Sequence, residues 1–482
     1  MSGVLRGVVT LAGAALLAAC SSSRAVDSRS APPPPGGQPP GDGPDWPMFG
    51  FVPARTNDGP ASTGITAANV SGLKRTQVSL PGTVDASAIY LHQVTVAGAA
   101  HDVFVVTTTY GKTVAVDASD GTILWTFTPD GYDGWAGSAR ITNTAPVADP
   151  DRQSVYAAAP DGAIRKLALA DGKALWTTSI TQLPTREKIT SALNIDQGHI
   201  LAATGGYIGD APPYQGHVVV LDAASGRVLA TWNSLCSDRR GIIAPASCSA
   251  TLSAIWAPAG VVVEPTTHRL LFSTGNGPFD GHTNWGDSMI ELTPDAATMV
   301  GHWTPTDYAD LESSDAYLGS TSPALLAGGY VAQGGKDGKL RLLQLSALPA
   351  PGTTTDGELQ TVSTPGGAPL FSSPAVMGGD WLFVADRSGT AAWHLVGGRL
   401  QQAWSIGTAG TSPVVAGGLL WVYDPGGALN VYDPTTGRLL TSLPAGGGHW
   451  QSPIVSDGRV VLAQGNANNH ATSGLLNIYY VP

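Results

Sequence analysis

A chain of 482 residues with 61 glycines, 36 prolines and only 13% charged residues suits many short strands and tight turns rather than long helices. Its 43% hydrophobic content is ample material for a large core. A formal net charge of -11, without any Lys/Arg cluster, argues against a nucleic-acid partner, because phosphate binding needs clustered cations.

In chain order, Arg6 precedes an apolar run from Val8 to Ala19 that closes on Leu17-Ala18-Ala19-Cys20. The run is too short for a membrane span and reads as a signal peptide. Its end resembles a bacterial lipobox, which implies that Cys20 is diacylated and becomes the first residue after cleavage; a plain signal peptide is the alternative. Each acyl chain contributes about 0.8 kcal/mol per buried CH₂, so two hold a protein stably at a membrane. Three segments follow: residues 1–19 as leader, 20–44 as lipidated cysteine and tether, and 45–482 as folded domain. The tether is rich in Ser, Pro and Gly, as in Ala31-Pro32-Pro33-Pro34-Pro35-Gly36-Gly37. The expected location is extracytoplasmic, on the periplasmic side or the cell surface, and the choice of membrane stays open. In such an oxidising compartment Cys236 and Cys248 read as a disulfide, worth roughly 3 kcal/mol for a loop of this size. Two free thiols or half a metal site are the alternatives, and no matching His/Cys pattern lies nearby.

The rest of the chain repeats. A small residue and a proline introduce an apolar strand at Thr144-Ala145-Pro146, Ser322-Pro323, Ser373-Pro374, Ser412-Pro413 and Ser452-Pro453. Each unit continues through a Gly or Asp-Gly turn, another strand, and an Asp-x-x-x-Gly turn into a strand that often ends in Trp. Asp117, Gly121 and Trp125 form one such phrase, and Asp171-Gly172 with Trp176 is a comparable turn in which the Asp directly precedes the Gly. The spacing of about 40 to 55 residues fits one four-stranded propeller blade per repeat. Blade cores are expected near 85–128, 141–180, 190–233, 254–304, 320–363, 371–406, 411–444 and 450–482. The last holds three strands, and the run Leu73 to Leu80 supplies the missing outer one. Pairing the two closes the ring and removes its open edge. The fold expected is therefore all-β, an eight-bladed propeller of four-stranded antiparallel blades closed by an N-terminal strand. Seven blades is the alternative.

The phrase Asp-x-x-x-Gly-x-x-x-Trp resembles the tryptophan docking motif of quinoprotein propellers. Asp45-Trp46-Pro47-Met48-Phe49-Gly50, Arg55-Thr56-Asn57 and the stretch Ile65 to Leu73 are similar to the opening of quinoprotein alcohol dehydrogenases. The resemblance spans roughly residues 45 to 482. It implies a PQQ-binding-like propeller, a family that holds both PQQ dehydrogenases and non-enzymatic lipoproteins acting as assembly scaffolds. Fold alone does not choose between them.

Residue by residue, the resemblance nominates a site for PQQ and Ca²⁺ at the propeller axis. Trp256 matches the stacking tryptophan, although it equally reads as a blade-core residue. Asn276, in Thr274-Gly275-Asn276, matches a metal ligand, or simply holds a tight turn. Asp315 falls where the catalytic aspartate is expected and would also ligate the metal. Lys336, in Gly335-Lys336-Asp337-Gly338, matches the cation that contacts the quinone. Both are otherwise charged loop residues. The family's ligand Glu has no counterpart between Tyr207 and Gly216; Asp210 is the one carboxylate there. The adjacent Cys-Cys pair of many dehydrogenases is missing, and there is no Cys-x-x-Cys-His for haem. Losing a carboxylate weakens a Ca²⁺ site, whose affinity follows ligand charge.

Two readings follow. In one, the chain is an envelope-anchored binding or scaffold module for a protein or polymer. In the other, it is a PQQ- and Ca²⁺-dependent dehydrogenase that oxidises an alcohol or sugar and passes electrons to a separate acceptor. There Asp315 would take the hydroxyl proton while Lys336 stabilises the reduced quinone oxygen. The enzyme reading expects Trp256, Asn276, Asp315 and Lys336 to converge on one axial pocket.

Overall fold

The computed structural model describes residues 45–482; the leader, Cys20 and the tether lie outside the described residues. The short alternating runs separated by Gly and Asp-Gly turns form antiparallel strands, and these assemble into eight sheets. Seven blades span 89–127, 147–179, 187–233, 262–303, 324–363, 375–406 and 414–444. The eighth takes three strands from 454–480 and its outermost from Lys74–Leu80. That N-terminal strand pairs antiparallel with Gly474–Tyr480 over its whole length, from Lys74 opposite Tyr480 to Leu80 opposite Gly474. Seven blades have four strands. Blade 3 differs: its innermost strand is broken into Glu187–Ile189 and Asn194–Asp196, both paired with His199–Gly206. The break lets Ala192 and Leu193 bond outside their sheet, to Pro258 and Ala145 carbonyls respectively.

The repeated Asp-x-x-x-Gly…Trp phrase joins neighbouring blades. Trp125, on the outer strand of blade 1, lies against the Gly172 turn of blade 2 and donates its indole N–H to the Leu169 carbonyl at 2.8 Å. Trp176 meets the Gly226 turn of blade 3, and Trp404 meets the Gly437 turn of blade 7, in the same way. The three glycines adopt φ of +73°, +72° and +69°, a conformation that costs an L-residue. A Cβ at Gly226 would also stand 2.6 Å from the Trp176 ring.

The Ser-Pro positions do the equivalent work nearer the axis. Ser452 Oγ donates to the Ser412 carbonyl at 2.9 Å, and Ser412 Oγ accepts from Ser373 N at 2.9 Å. Thr321 Oγ1 donates to the Ser372 carbonyl. Hydroxyls thus satisfy backbone groups across blade boundaries where no sheet ladder can reach.

One end of the axis is crossed by the segment from Asp45 to Thr63, which bonds to the innermost strands in turn. Trp46 exchanges two backbone hydrogen bonds with Tyr90 of blade 1. The carbonyls of Pro47, Pro53, Thr56 and Asn57 accept from Ala148, Val263, Val376 and Val415 of blades 2, 4, 6 and 7. Arg55, 3% exposed, donates to the Phe49 and Leu193 carbonyls, the latter at 2.7 Å and in blade 3. This strap floors the axial channel.

Three substitutions test the joints, each read as a shift in urea midpoint. Leu80 is 4% exposed on the closing strand, so Leu80→Ala should cost about 2–4 kcal/mol. Gly198 and Gly226 share blade 3 and similar φ, but a Cβ at Gly198 meets nothing within 4 Å. Gly198→Ala should therefore cost only the backbone penalty of about 1 kcal/mol, and Gly226→Ala clearly more. Equal losses would show that Trp docking adds nothing.

Candidate functional site

Residues in or just before the innermost strands of seven blades build a cavity of about 360 Å³ that Phe49 of the strap also lines. Blade 1 contributes Asp85 and Ser87, blade 2 Asn143, and blade 3 Lys188 and Thr190. Blades 4, 5, 6 and 8 contribute Trp256, Tyr317, Phe371, and His449 with Trp450; Phe49 of the strap lies beneath. The turns between second and third strands add Asp210, Lys336 and Arg387 from blades 3, 5 and 6. The volume suits a small molecule.

The cavity has two unlike sides. On one, four aromatic rings pack together. Trp256 lies 6.3 Å from Tyr317, 6.0 Å from Phe371 and 6.1 Å from Trp450, centroid to centroid. Lys336 Nζ stands 3.7 Å over the Tyr317 ring and 5.9 Å from that of Trp256, and the Arg387 guanidinium stands 4.4 Å over Phe371. Cations held on ring faces gain from the quadrupole beneath them. Trp256 is fixed because the Ile255 carbonyl accepts from Thr190 Oγ1 at 2.7 Å and Ile255 N donates to Thr204.

The other side is polar. Asp85 has a fully buried side chain. It accepts from His449 Nδ1 at 2.8 Å and from the backbone N–H groups of Trp450 and Ala467 at 2.8 and 3.0 Å. Beside it Lys188 donates to Asn143 Oδ1, and burial lowers its pKa to about 8.

Of the residues nominated from the sequence, Trp256, Lys336 and Asp210 line this cavity, and Asn276 and Asp315 do not. Asp210 accepts from the Tyr214 hydroxyl at 2.9 Å. Asp315 has a side chain 66% exposed, and both of its oxygens accept from Lys336 Nζ, at 3.1 and 3.0 Å. Asn276 is half-buried, and its carbonyl accepts from Ser253 N. Of these three nominated oxygen donors, Asp210 alone lies in the cavity lining. Among the described residues, the group of His, Cys, Asp and Glu ligand atoms lying within 4.8 Å of one another is His92, Asp102 and Asp457, at the seam of blades 8 and 1. Arg459 and the Tyr90 hydroxyl already bond to Asp457 there. Cys236 and Cys248 form a disulfide, and the loop they close does not line the cavity.

The sequence pointed to none of Lys188, Asp85 and His449. Their signal is positional, since Asp85 and His449 sit in segments leading into innermost strands, as Trp256 does, and Lys188 lies on the first piece of blade 3's broken innermost strand. Arg387, in Asp386-Arg387-Ser388-Gly389, holds the place in blade 6 that Lys336 holds in blade 5. Asp287 was also missed. It is fully buried behind Thr274-Gly275-Asn276, accepts from Leu318 N, and burial pushes its carboxyl up to about 8.

A family model described as outer membrane protein assembly factor BamB matches residues 66–242 and 354–474. The unmatched interval holds blade 4 and most of blade 5, and with them Trp256, Asn276, Asp315 and Lys336. Among solved structures, the quinohemoprotein alcohol dehydrogenase from Comamonas testosteroni is similar with a TM-score of 0.68 at 16% identity, covering 91% of this chain and 80% of that one. A europium-containing methanol dehydrogenase gives 0.64 at 15% identity, covering 91% and 98%. BamB from Moraxella catarrhalis gives 0.53 at 11% identity, covering 84% and 98%. Identities this low establish the fold alone. No curated protein matches the chain in sequence.

Asp287 yields a test of the site's electrostatics. A carboxyl raised from its ordinary value near 4 costs nothing at pH below that value, and the cost grows as pH rises toward about 8. Asp287→Asn should therefore raise the melting temperature at pH 7 and leave it nearly unchanged at about pH 4. A loss of stability at pH 7 would mean that the carboxylate is ionised and partnered.

Proposed function

The chain belongs to the family of the outer membrane protein assembly factor BamB, and from that footing we propose that it is an envelope-anchored binding or scaffold module. One observation carries this reading. The axial cavity gathers aromatic rings and cations suited to holding a ligand, while Asn276 and Asp315, two of the three residues nominated to ligate a metal, lie outside it. Asp315 is committed to Lys336 and turned toward solvent, so it is not positioned as a base in the cavity. The family's description as an assembly factor favours a protein partner in the envelope. The disulfide and that family relation point to an extracytoplasmic protein, and the lipobox-like Cys20 supplies the anchor.

A second reading rests on a different observation. Trp256 and Lys336 do share the cavity, with Arg387 nearby, and these groups would suit a flat polyanion such as PQQ. Of the nominated metal ligands, Asp210 shares that lining and Asn276 and Asp315 do not.

Titration of the full chain in detergent with PQQ, with and without Ca²⁺, separates the two. The binding reading expects no Ca²⁺-dependent heat and no dye reduction with alcohols or sugars. Saturable one-to-one binding that needs Ca²⁺ and is lost in Asn276→Ala would overturn it in favour of the dehydrogenase. The anchor is tested separately: cells fed radiolabelled palmitate should label the chain, and Cys20→Ala should abolish both label and membrane retention.

A further inference from the structure

Two lysines face the axial cavity, and their surroundings are opposite. Lys336 has its charge met by both oxygens of Asp315 and by the faces of Tyr317 and Trp256. Lys188 donates to Asn143 Oδ1, a neutral acceptor. Asp85 is near enough to act on Lys188 electrostatically, but its oxygens already serve His449 and two backbone N–H groups. Desolvation therefore prevails at Lys188 and brings its pKa to about 8, so near neutral pH a sizeable fraction is the free amine. A second observation concerns the same cavity. Ser87 is 3% exposed, lines the cavity, and its hydroxyl has no hydrogen-bond partner. A buried unpaired hydroxyl is costly unless a ligand satisfies it.

We propose that Lys188 is a nucleophilic amine that captures a small carbonyl compound, an aldehyde or ketone carried on an aromatic or apolar body, as an imine within the axial cavity. A desolvated lysine in an apolar pocket is the usual form of an imine-forming amine. The Nζ lone pair makes the C–N bond while the carbonyl π pair moves to oxygen. A proton passes from nitrogen to that oxygen and gives the carbinolamine. The hydroxyl then takes a second proton and leaves as water as the nitrogen pair closes the C=N bond, and the iminium so formed gives its N–H proton back to solvent. One amine and one carbonyl give one imine and one water, and no oxidant enters. The aromatic side holds the ligand's body, and Ser87 offers a donor for the oxygen. The inference rests on the binding reading only in that the cavity admits a small ligand, and it is independent of PQQ and Ca²⁺.

The test uses the full chain, benzaldehyde as probe and cyanoborohydride to trap the imine, read by intact mass and peptide mapping. At pH 8 a lysine of pKa about 8 is half unprotonated, roughly a hundredfold more than an ordinary lysine. The expected result is one dominant adduct at Lys188, forming at least about tenfold faster than at any other lysine, with a rate that rises from about pH 6 and levels off near pH 9. Lys188→Arg and Lys188→Met should each remove it, and Lys173→Arg, at an exposed lysine outside the cavity, should leave it. Labelling spread over exposed lysines, or an adduct that survives both Lys188 variants, would overturn the proposal. Far-ultraviolet circular dichroism confirms that each variant is folded. If PQQ binds with Ca²⁺ yet Lys188 labels, the binding reading fails and this inference stands. If PQQ does not bind and Lys188 stays unlabelled, this inference fails and the binding reading stands.

Discussion

Everything in this molecule depends on pairing the strand Lys74–Leu80 with the strand Gly474–Tyr480. A ring of blades built in sequence has two free ends, and an exposed sheet edge is a template for unwanted pairing. Here the blade at the C-terminal end lacks its outer strand and the N-terminal run provides it, so segments some 400 residues apart fasten each other. The strap from Asp45 to Thr63 adds a second fastening on the axis. It bonds to innermost strands on both sides of the closure, and reaches blade 8 through the Gly458 N–H, which donates to the Thr63 carbonyl. The seam itself is polar as well as apolar: Tyr90 of blade 1 donates to Asp457 of blade 8 at 2.7 Å, and Arg459 reaches the Ala118 carbonyl.

Closure creates the cavity as a by-product of geometry. Segments that lead into innermost strands converge on the axis, so whatever side chains they carry there must meet. Four of these positions hold aromatic rings from four blades, and they form one cluster although no two are close in sequence. The polar side forms the same way, from Asp85, Asn143, Lys188 and His449 of blades 1, 2, 3 and 8. The two sides differ in how charge is met. Lys336 is paired at the rim with a largely exposed carboxylate, whereas Lys188 bonds to a neutral acceptor. Burial without a direct counter-ion shifts the balance toward the neutral amine, and that difference is what gives the cavity chemical character.

Much of the fold was legible along the chain. The Asp-x-x-x-Gly…Trp phrase announces a turn and the ring that lies on it, because only glycine takes the required φ without a Cβ in the indole. The count of repeats and the orphan run before the first of them together predict eight blades and the closing strand. The broken inner strand of blade 3 was not legible, since it answers contacts with Arg55, Ala145 and Pro258 that are remote in sequence. The site was only half legible. Trp256, Lys336 and Asp210 share the cavity lining. Asn276 and Asp315 match motifs equally well, yet they lie outside the cavity lining. A motif fixes the local backbone, and the direction of a side chain depends on what packs around it.

What the sequence by itself determined is therefore periodic: strand, turn, docking tryptophan and the number of blades, all set by local conformation and by contacts between adjacent repeats. The tertiary structure alone decided which residues from distant blades share the axis, which lysine is paired and which is desolvated, and which of the residues proposed as metal ligands line the cavity. The physical reason is that pairing and desolvation are properties of a neighbourhood in space. In a closed ring that neighbourhood is assembled from segments that local sequence cannot relate to one another.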